Sequence, residues 1–145
     1  MNYTQDMNLL STSGYCMPFE EKDRDVQLTL RYGKQKHPKT GESFFHHGID
    51  FKTNNYFLAA VADGVVSGIG IDRKQYGLYV VIKYSKYEVT YSHMSNVFMQ
   101  FGQQVKAGLA VGVSSDLLHM EVKYDGEEID PVEFITMLYG NAKTW

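Results

Sequence analysis

Short runs in which apolar and polar residues alternate, each closed by a turn signal, recur along this chain and leave little room for a helical fold. Val26, Leu28 and Leu30 alternate with Gln27, Thr29 and Arg31, the period of a half-buried strand. Residues 65–71 repeat the pattern around Gly68 and Gly70. Residues 77–84 and 87–93 read as further strands, joined at Tyr84-Ser85-Lys86-Tyr87 with the spacing of a hairpin. The turn 105–108 leads into a short apolar strand, 109–113, and residues 117–124 alternate again before Asp125-Gly126. A period of two sends every other side chain to one face. Several such runs with glycine turns predict an all-β sandwich or barrel. Tyr 11, Phe 8 and Gly 13 against Pro 3 agree with strands and turns. With 145 residues and 43% hydrophobic content, one domain can bury its own core.

The ends of the chain read differently. Residues 1–14 are polar and unpatterned, as in a loosely held arm. Cys16-Met17-Pro18-Phe19 is a candidate first anchor to the core, and residues 20–24 are a charge run suited to a solvated face. The arm is placed at residues 1–25 and the folded domain at 26–145. Gly33 is expected to end the first strand. Residues 34–42, with Pro38 and Gly41, then form an exposed loop in which His37 is merely solvated. Residues 56–62 are an apolar run before the turn Asp63-Gly64. Near the end, Asp130 is a candidate N-cap, Pro131 the first helical residue and Glu133 a capping-box partner. A short helix running to about Leu138 follows.

Composition excludes several classes. A net charge of −3 argues against a nucleic-acid binder. Cys16, the only cysteine, can form no intrachain disulfide and no cysteine zinc site, and suits a small buried hydrophobe. No apolar stretch approaches the length of a membrane span. Residues 1–13 lack a basic cluster followed by an apolar run, so no export signal is expected there.

The chemistry concentrates in Phe44-Phe45-His46-His47-Gly48-Ile49-Asp50-Phe51. On an extended chain His46 and Asp50, four apart, face the same side, and Gly48 between them permits a bulge or a close backbone approach. Imidazole with carboxylate suits zinc. Two ligands make a weak site, so a third must come from elsewhere. His93, in Tyr-Ser-His-Met-Ser, and His119, in Leu-Leu-His-Met-Glu, both fall in expected strands, and Leu117, His119 and Glu121 share one strand face. His119 brought to His46 and Asp50 would complete a set of three, leaving one tetrahedral position for water, as in catalytic zinc. His93, nearby but unligated, would serve as general base or oxyanion donor. The alternative is that these are ordinary histidines on a β face, since spacing alone does not make the strands neighbours.

These residues stand in an order that resembles the lysostaphin-type zinc metalloendopeptidases, which cut the peptide part of bacterial peptidoglycan. The resemblance runs through Tyr32-Gly33, His37-Pro38-Lys39-Thr40-Gly41 and His46-His47-Gly48-Ile49-Asp50. It continues through residues 60–66, 76–82 and Tyr91-Ser92-His93, then 102–108, His119-Met120-Glu121-Val122 and Asp130-Pro131. It covers about residues 30–135. It implies a lysostaphin-like antiparallel β-fold, zinc held by His46, Asp50 and His119, His93 as a catalytic histidine that does not ligate, and a peptidoglycan peptide or other peptide as substrate. His47 falls at a variable position and receives no role. Wall chemistry lies outside the cytoplasm, so the resemblance implies the cell envelope or a secreted protein if a targeting segment precedes this stretch.

The departures from that family are specific. Leu117 stands where the family carries the first histidine of His-x-His, and leucine can neither accept a proton nor donate a hydrogen bond. Losing such a group costs about 100- to 10,000-fold in rate. The segment 113–116 is also shorter than the family's groove-flanking loop, and Asp116 falls on the opposite face from Leu117 of a regular strand. Two readings follow. One is a zinc peptidase acting on cell-wall peptides. The other is a catalytically impaired zinc-binding homologue that holds peptide or peptidoglycan, or acts as a scaffold. A biotinyl- or lipoyl-type carrier with Lys86 at its hairpin tip lacks the expected flanking residues.

Overall fold

The alternating runs assemble into one antiparallel sheet that is apolar on one face and carries the site on the other. The structure is a computed structural model and describes residues 9, 11–19 and 26–141. In chain order the strands are β1 (Gln27–Leu30), β2 (Gly33–Lys36), β3 (Ser43–His46), β4 (Ile49–Lys52), β5 (Phe57–Ala59), β6 (Gly64–Asp72) and β7 (Gly77–Tyr84). They continue as β8 (Tyr87–Val97), β9 (Gln104–Val105), β10 (Ala110–Tyr124) and β11 (Glu127–Ile129), and α1 (Pro131–Asn141) closes the domain. The large sheet has the order β1-β4-β10-β8-β7-β6-β9, with β5 and β11 also paired to β10, while β2 and β3 form a separate hairpin. The pairings are antiparallel. The expected all-β class with a short C-terminal helix is the observed one.

Period-two patterning explains the layering. Val80, Ile82 and Tyr84 of β7, Tyr87, Val89 and Tyr91 of β8 and Leu118, Met120 and Val122 of β10 point into the core. Each such side chain contributes about 1.5–3 kcal/mol by leaving water. Helix α1 lays Phe134, Met137 and Leu138 over this face, with the Phe134 ring 4.9 Å from Tyr87. Asp130 caps it by accepting the Val132 N–H at 2.9 Å. The buried Tyr84 and Tyr91 hydroxyls bond each other at 2.9 Å, which meets the need of buried polar groups for a partner. The intervening residues face out in rows across β10, β8 and β7, Glu121–Thr90–Val81 and Lys123–Glu88–Lys83.

Several local expectations are corrected. The exposed loop expected at 34–42 begins as strand: β2 pairs with β3 from Gly33↔His46 to Lys36↔Ser43. The strands expected at 109–113 and 117–124 are one strand, β10, with register shifts between them. Strand β11 carried no alternation signal, and α1 runs three residues beyond Leu138. Residues 11–14 are not loosely held, and Cys16 and Pro18 anchor to the core as expected. Thr12 N–H and Oγ and the Ser13 hydroxyl bond Asp63, Cys16 N–H bonds Val61 O at 2.9 Å, Ala59 N–H bonds Pro18 O at 2.9 Å, and Leu9 is buried. The Ser13 bond first, then those of Thr12, hold the Asp63 carboxyl below its usual range. Cys16 is half-buried, and burial pushes its thiol pKa up. Residues 1–8 and 10 of the arm and the charge run at 20–24 lie outside the described residues.

Candidate metal centre

His46 and Asp50 do not lie on one extended strand as expected. His46 ends β3 and Asp50 belongs to β4, with a corner between them at His47-Gly48. The corner is tight because it lies against β10. A Cβ on Gly48 would collide with the Met120 carbonyl oxygen and the His119 ring, so the close approach requires glycine. The two side chains still converge, with His46 Nε2 3.3 Å from Asp50 Oδ1. Asp50 lies directly opposite His119 in the β4–β10 ladder, and His119 Nδ1 is 2.6 Å from Asp50 Oδ1. One ligand atom from each of His46, Asp50 and His119 falls within 4.8 Å of the others, a group that could hold a metal ion.

The surrounding bonds fix which nitrogens face inward. His46 Nδ1 lies 2.9 Å from the Arg31 carbonyl oxygen, which only accepts. Nδ1 therefore carries the proton and Nε2 presents its lone pair to the cluster. His119 bonds Asp50 through Nδ1 and Glu121 through Nε2, the latter at 2.9 Å. Burial works most strongly against a charged imidazole there, but the bonds and charges of Asp50 and Glu121 together outweigh it, and the His119 pKa rises to about 9. Burial alone would raise Glu121; the His119 bond and charge and the Tyr76 bond bring it below the usual carboxylate range.

His93 reaches this face through an irregularity. On an unbroken β8 it would share the core face with Tyr87, Val89 and Tyr91. Instead Tyr91 and Ser92 are both buried in succession, His93 adopts φ 61° and donates its N–H to Tyr76 O at 2.8 Å, and the phase of the strand slips. This is a β-bulge that re-aims one side chain. The His93 ring stands edge-on to His119 at 6.4 Å. Burial, then the His119 charge, lower its pKa against the opposing pull of Asp50, so the imidazole is neutral. Tyr76 stacks on His119 at 6.0 Å and 29°, and its hydroxyl donates to Glu121 at 3.1 Å. Burial, then the Glu121 charge, push the phenol to about 12, so it remains a donor. Beside these residues opens a cavity of about 260 Å³ walled by Tyr76, Tyr79, Val81, Thr90, Glu88 and Glu121, among others.

The sequence profile of Peptidase family M23 matches residues 44–131, more than half of the chain, from Phe44 on β3 to Pro131 at the start of α1. The chain belongs to this family. An uncharacterised metalloprotease of Haemophilus influenzae is 29% identical over 107 residues, 68% of this chain and 22% of that protein. The murein hydrolase activator NlpD of Escherichia coli is 31% identical over 96 residues, 61% of this chain and 25% of that protein. The M23 chain thus spans about a quarter of the length of the curated relatives it matches. Among solved structures, a zinc-containing peptidase from Vibrio cholerae superposes with a TM-score of 0.69 at 26% identity, covering 81% of this chain and 39% of that one. Lysostaphin of Staphylococcus simulans superposes at 0.70 and 20% identity over 93% of this chain and 59% of its own, a likeness of fold.

The other singled-out residues separate cleanly. Leu117 is half-buried on the His119 face of the M23 sheet, opposite Lys52. Asp116 is exposed and lines a different cavity, with Lys52, Thr53, Asn54 and Tyr56. His47 bonds Glu128 at 3.0 Å, and Tyr32 bonds the same carboxylate. His37 is exposed and accepts the Lys39 N–H at 3.2 Å within its own turn. Sequence reasoning gave no role to Glu121, Tyr76 or the Arg31 carbonyl. Glu121 was findable, because it shares the parity of His119; the approach of Tyr76 depends on the bulge and carried no signal. Among the described residues no helix is long and apolar enough to cross a membrane.

Proposed function

We propose that this M23 domain holds zinc through His46, Asp50 and His119 and hydrolyses peptide bonds of bacterial cell-wall peptidoglycan. The observation that carries the reading is the convergence of the three donor atoms within 4.8 Å, with the His46 tautomer set by Arg31 so that Nε2 faces the others. Two imidazoles and one carboxylate suit zinc, and three protein ligands are the number found in catalytic sites. Zinc bound there supplies a Lewis acid and lowers the pKa of a water toward neutrality. The chain's own residues do the rest. The cavity beside Tyr76 and Thr90 receives the peptide. His93 is neutral and faces His119, placed to accept a proton during attack or to hydrogen-bond the developing oxyanion. The matching zinc-containing peptidase and the murein hydrolase activator support the class of chemistry and of polymer.

Leu117 favours a second reading, a zinc-holding domain that binds wall peptide without cutting it. Its apolar side chain lies on the His119 face, where it can neither take nor give a proton. The test is release of soluble peptide from purified peptidoglycan by zinc-loaded protein, beside His46→Ala and Leu117→His. Release by the wild type, absent in His46→Ala, is the expected result. Release by Leu117→His alone selects the binding domain, and no release from any of them rejects the substrate.

A further inference from the structure

Glu121 is a half-buried acid of this face that the proposed chemistry leaves unused, and its bonds point at His119. Its Oε2 lies 2.9 Å from His119 Nε2, on the side of the ring away from Asp50. The Tyr76 hydroxyl donates to the same carboxylate, at 3.1 and 3.3 Å to its two oxygens, while the Tyr76 ring stacks on the imidazole. We propose that Glu121 and Tyr76 are positioning residues that make His119 a ligand through Nδ1. This rests on the reading of His119 as a zinc ligand.

The argument is one of tautomer and orientation. A ligating imidazole binds through one nitrogen and carries its proton on the other, and the partner of that proton decides which is which. Asp50 and Glu121 both only accept, so each nitrogen of His119 faces a carboxylate. With Asp50 turned to a bound metal, Glu121 would keep the proton on Nε2 and leave Nδ1 to the site shared with Asp50 and His46. Its negative charge also makes the imidazole a stronger donor. Tyr76 restrains both partners, the carboxylate by its hydroxyl and the ring by its face. Ser92 fixes the backbone below, donating its hydroxyl to His119 O at 2.8 Å. Residues 119 and 121 sit two apart on one strand face, so the ladder itself holds acid and imidazole side by side.

The test is zinc affinity, read by competition with a chromogenic chelator for the full chain, with thermal melts of the metal-free proteins as the check on folding. Glu121→Ala is expected to bind zinc about 10- to 100-fold more weakly while its metal-free melt stays cooperative. Glu121→Gln keeps an acceptor oxygen and should recover part of that loss. Tyr76→Phe, which removes only the hydroxyl, should weaken binding by a smaller factor and answers the question even if Glu121→Ala fails to fold. Loading with cobalt in place of zinc should give altered visible absorption in Glu121→Ala, because the ligand set is re-aimed. Wild-type affinity in both Glu121→Ala and Tyr76→Phe overturns the assignment while leaving the zinc site intact. Absence of zinc binding by the wild type overturns the zinc reading itself and this inference with it.

Discussion

The two ends of β10 are built on different backbones. From His119↔Ser92 to Tyr124↔Tyr87 its register with β8 is unbroken, and Asp50 stands opposite His119 on the other side. From Ala110 to Leu117 the register slips against β5 and again, at Ser114, against β8. The regular end carries His119 and Glu121 and the irregular end carries Ser115 and Asp116, while Leu117 between them is already in register with Lys52 of β4. Strand β8 divides the same way, regular through Tyr91 and slipped at His93. A ladder fixes distances between side chains on neighbouring strands, which is what a ligand set needs. An irregular backbone aims single side chains without holding their neighbours. The proposed metal ligand His119 and the proposed proton-handling His93 therefore sit on separable pieces of backbone, so one can be kept while the other changes.

The largest expected effect is on the regular side. A full zinc set in a zinc-finger peptide is worth about 10–16 kcal/mol over four ligands, so one ligand carries on the order of 3 kcal/mol, or about 100-fold. His119→Ala should lower zinc affinity by that factor in a chelator competition, and unchanged affinity would show that the ladder is not what holds the metal. Next in size is Gly48→Ala. Its Cβ would push against the Met120 carbonyl and the His119 ring, an overpacking that costs about 1–3 kcal/mol. Urea titration of the metal-free protein should show the lost stability, and zinc affinity should fall with it. A variant equal to wild type in both would mean the corner is free to shift.

The same division explains what could be read from the sequence. His119 and Glu121 were placed on one face because period two holds from residue 117 to 124. The core residues of β7 and β8 were legible for the same reason. The route by which His46 meets Asp50 was not, because an extended strand and a glycine corner both bring positions four apart together, and only the packing of Gly48 under β10 selects the corner. The left-handed turn at His93 was hidden as well, since nothing in Tyr91-Ser92-His93-Met94 marks a bulge. Strand β2 was missed because its residues Lys34 and Lys36 read as solvated charge. Strand β11, with Glu127 and Glu128, has the same defect, and its pairing to β10 is set by the two-residue turn Asp125-Gly126 rather than by alternation.

Two smaller effects sharpen the contrast between regular and irregular backbone. At His93, with φ 61°, a residue with a Cβ is strained by about 1–2 kcal/mol. His93→Gly should therefore be more stable than His93→Ala by about 1 kcal/mol. At Thr90, on the regular part of the same strand, the order should reverse, with Gly about 0.5–1 kcal/mol less stable than Ala. Denaturant midpoints of the four variants read both signs at once, and the same sign at both positions would remove the distinction.

The smallest expected effect concerns Asp116, the acid nearest in sequence to Leu117. It is exposed and lines the cavity with Lys52 and Tyr56, away from the three proposed ligands. Its backbone carbonyl, which accepts the Thr53 N–H at 3.0 Å, survives substitution. Asp116→Ala should therefore change stability by no more than about 0.5 kcal/mol and leave peptide release as it is in the wild type. A clear drop in release with stability intact would mean that the slipped end of β10 turns this carboxylate toward the metal during turnover. Asp116 would then do what Leu117 cannot, and the irregular end would supply the proton acceptor that its sequence lacks.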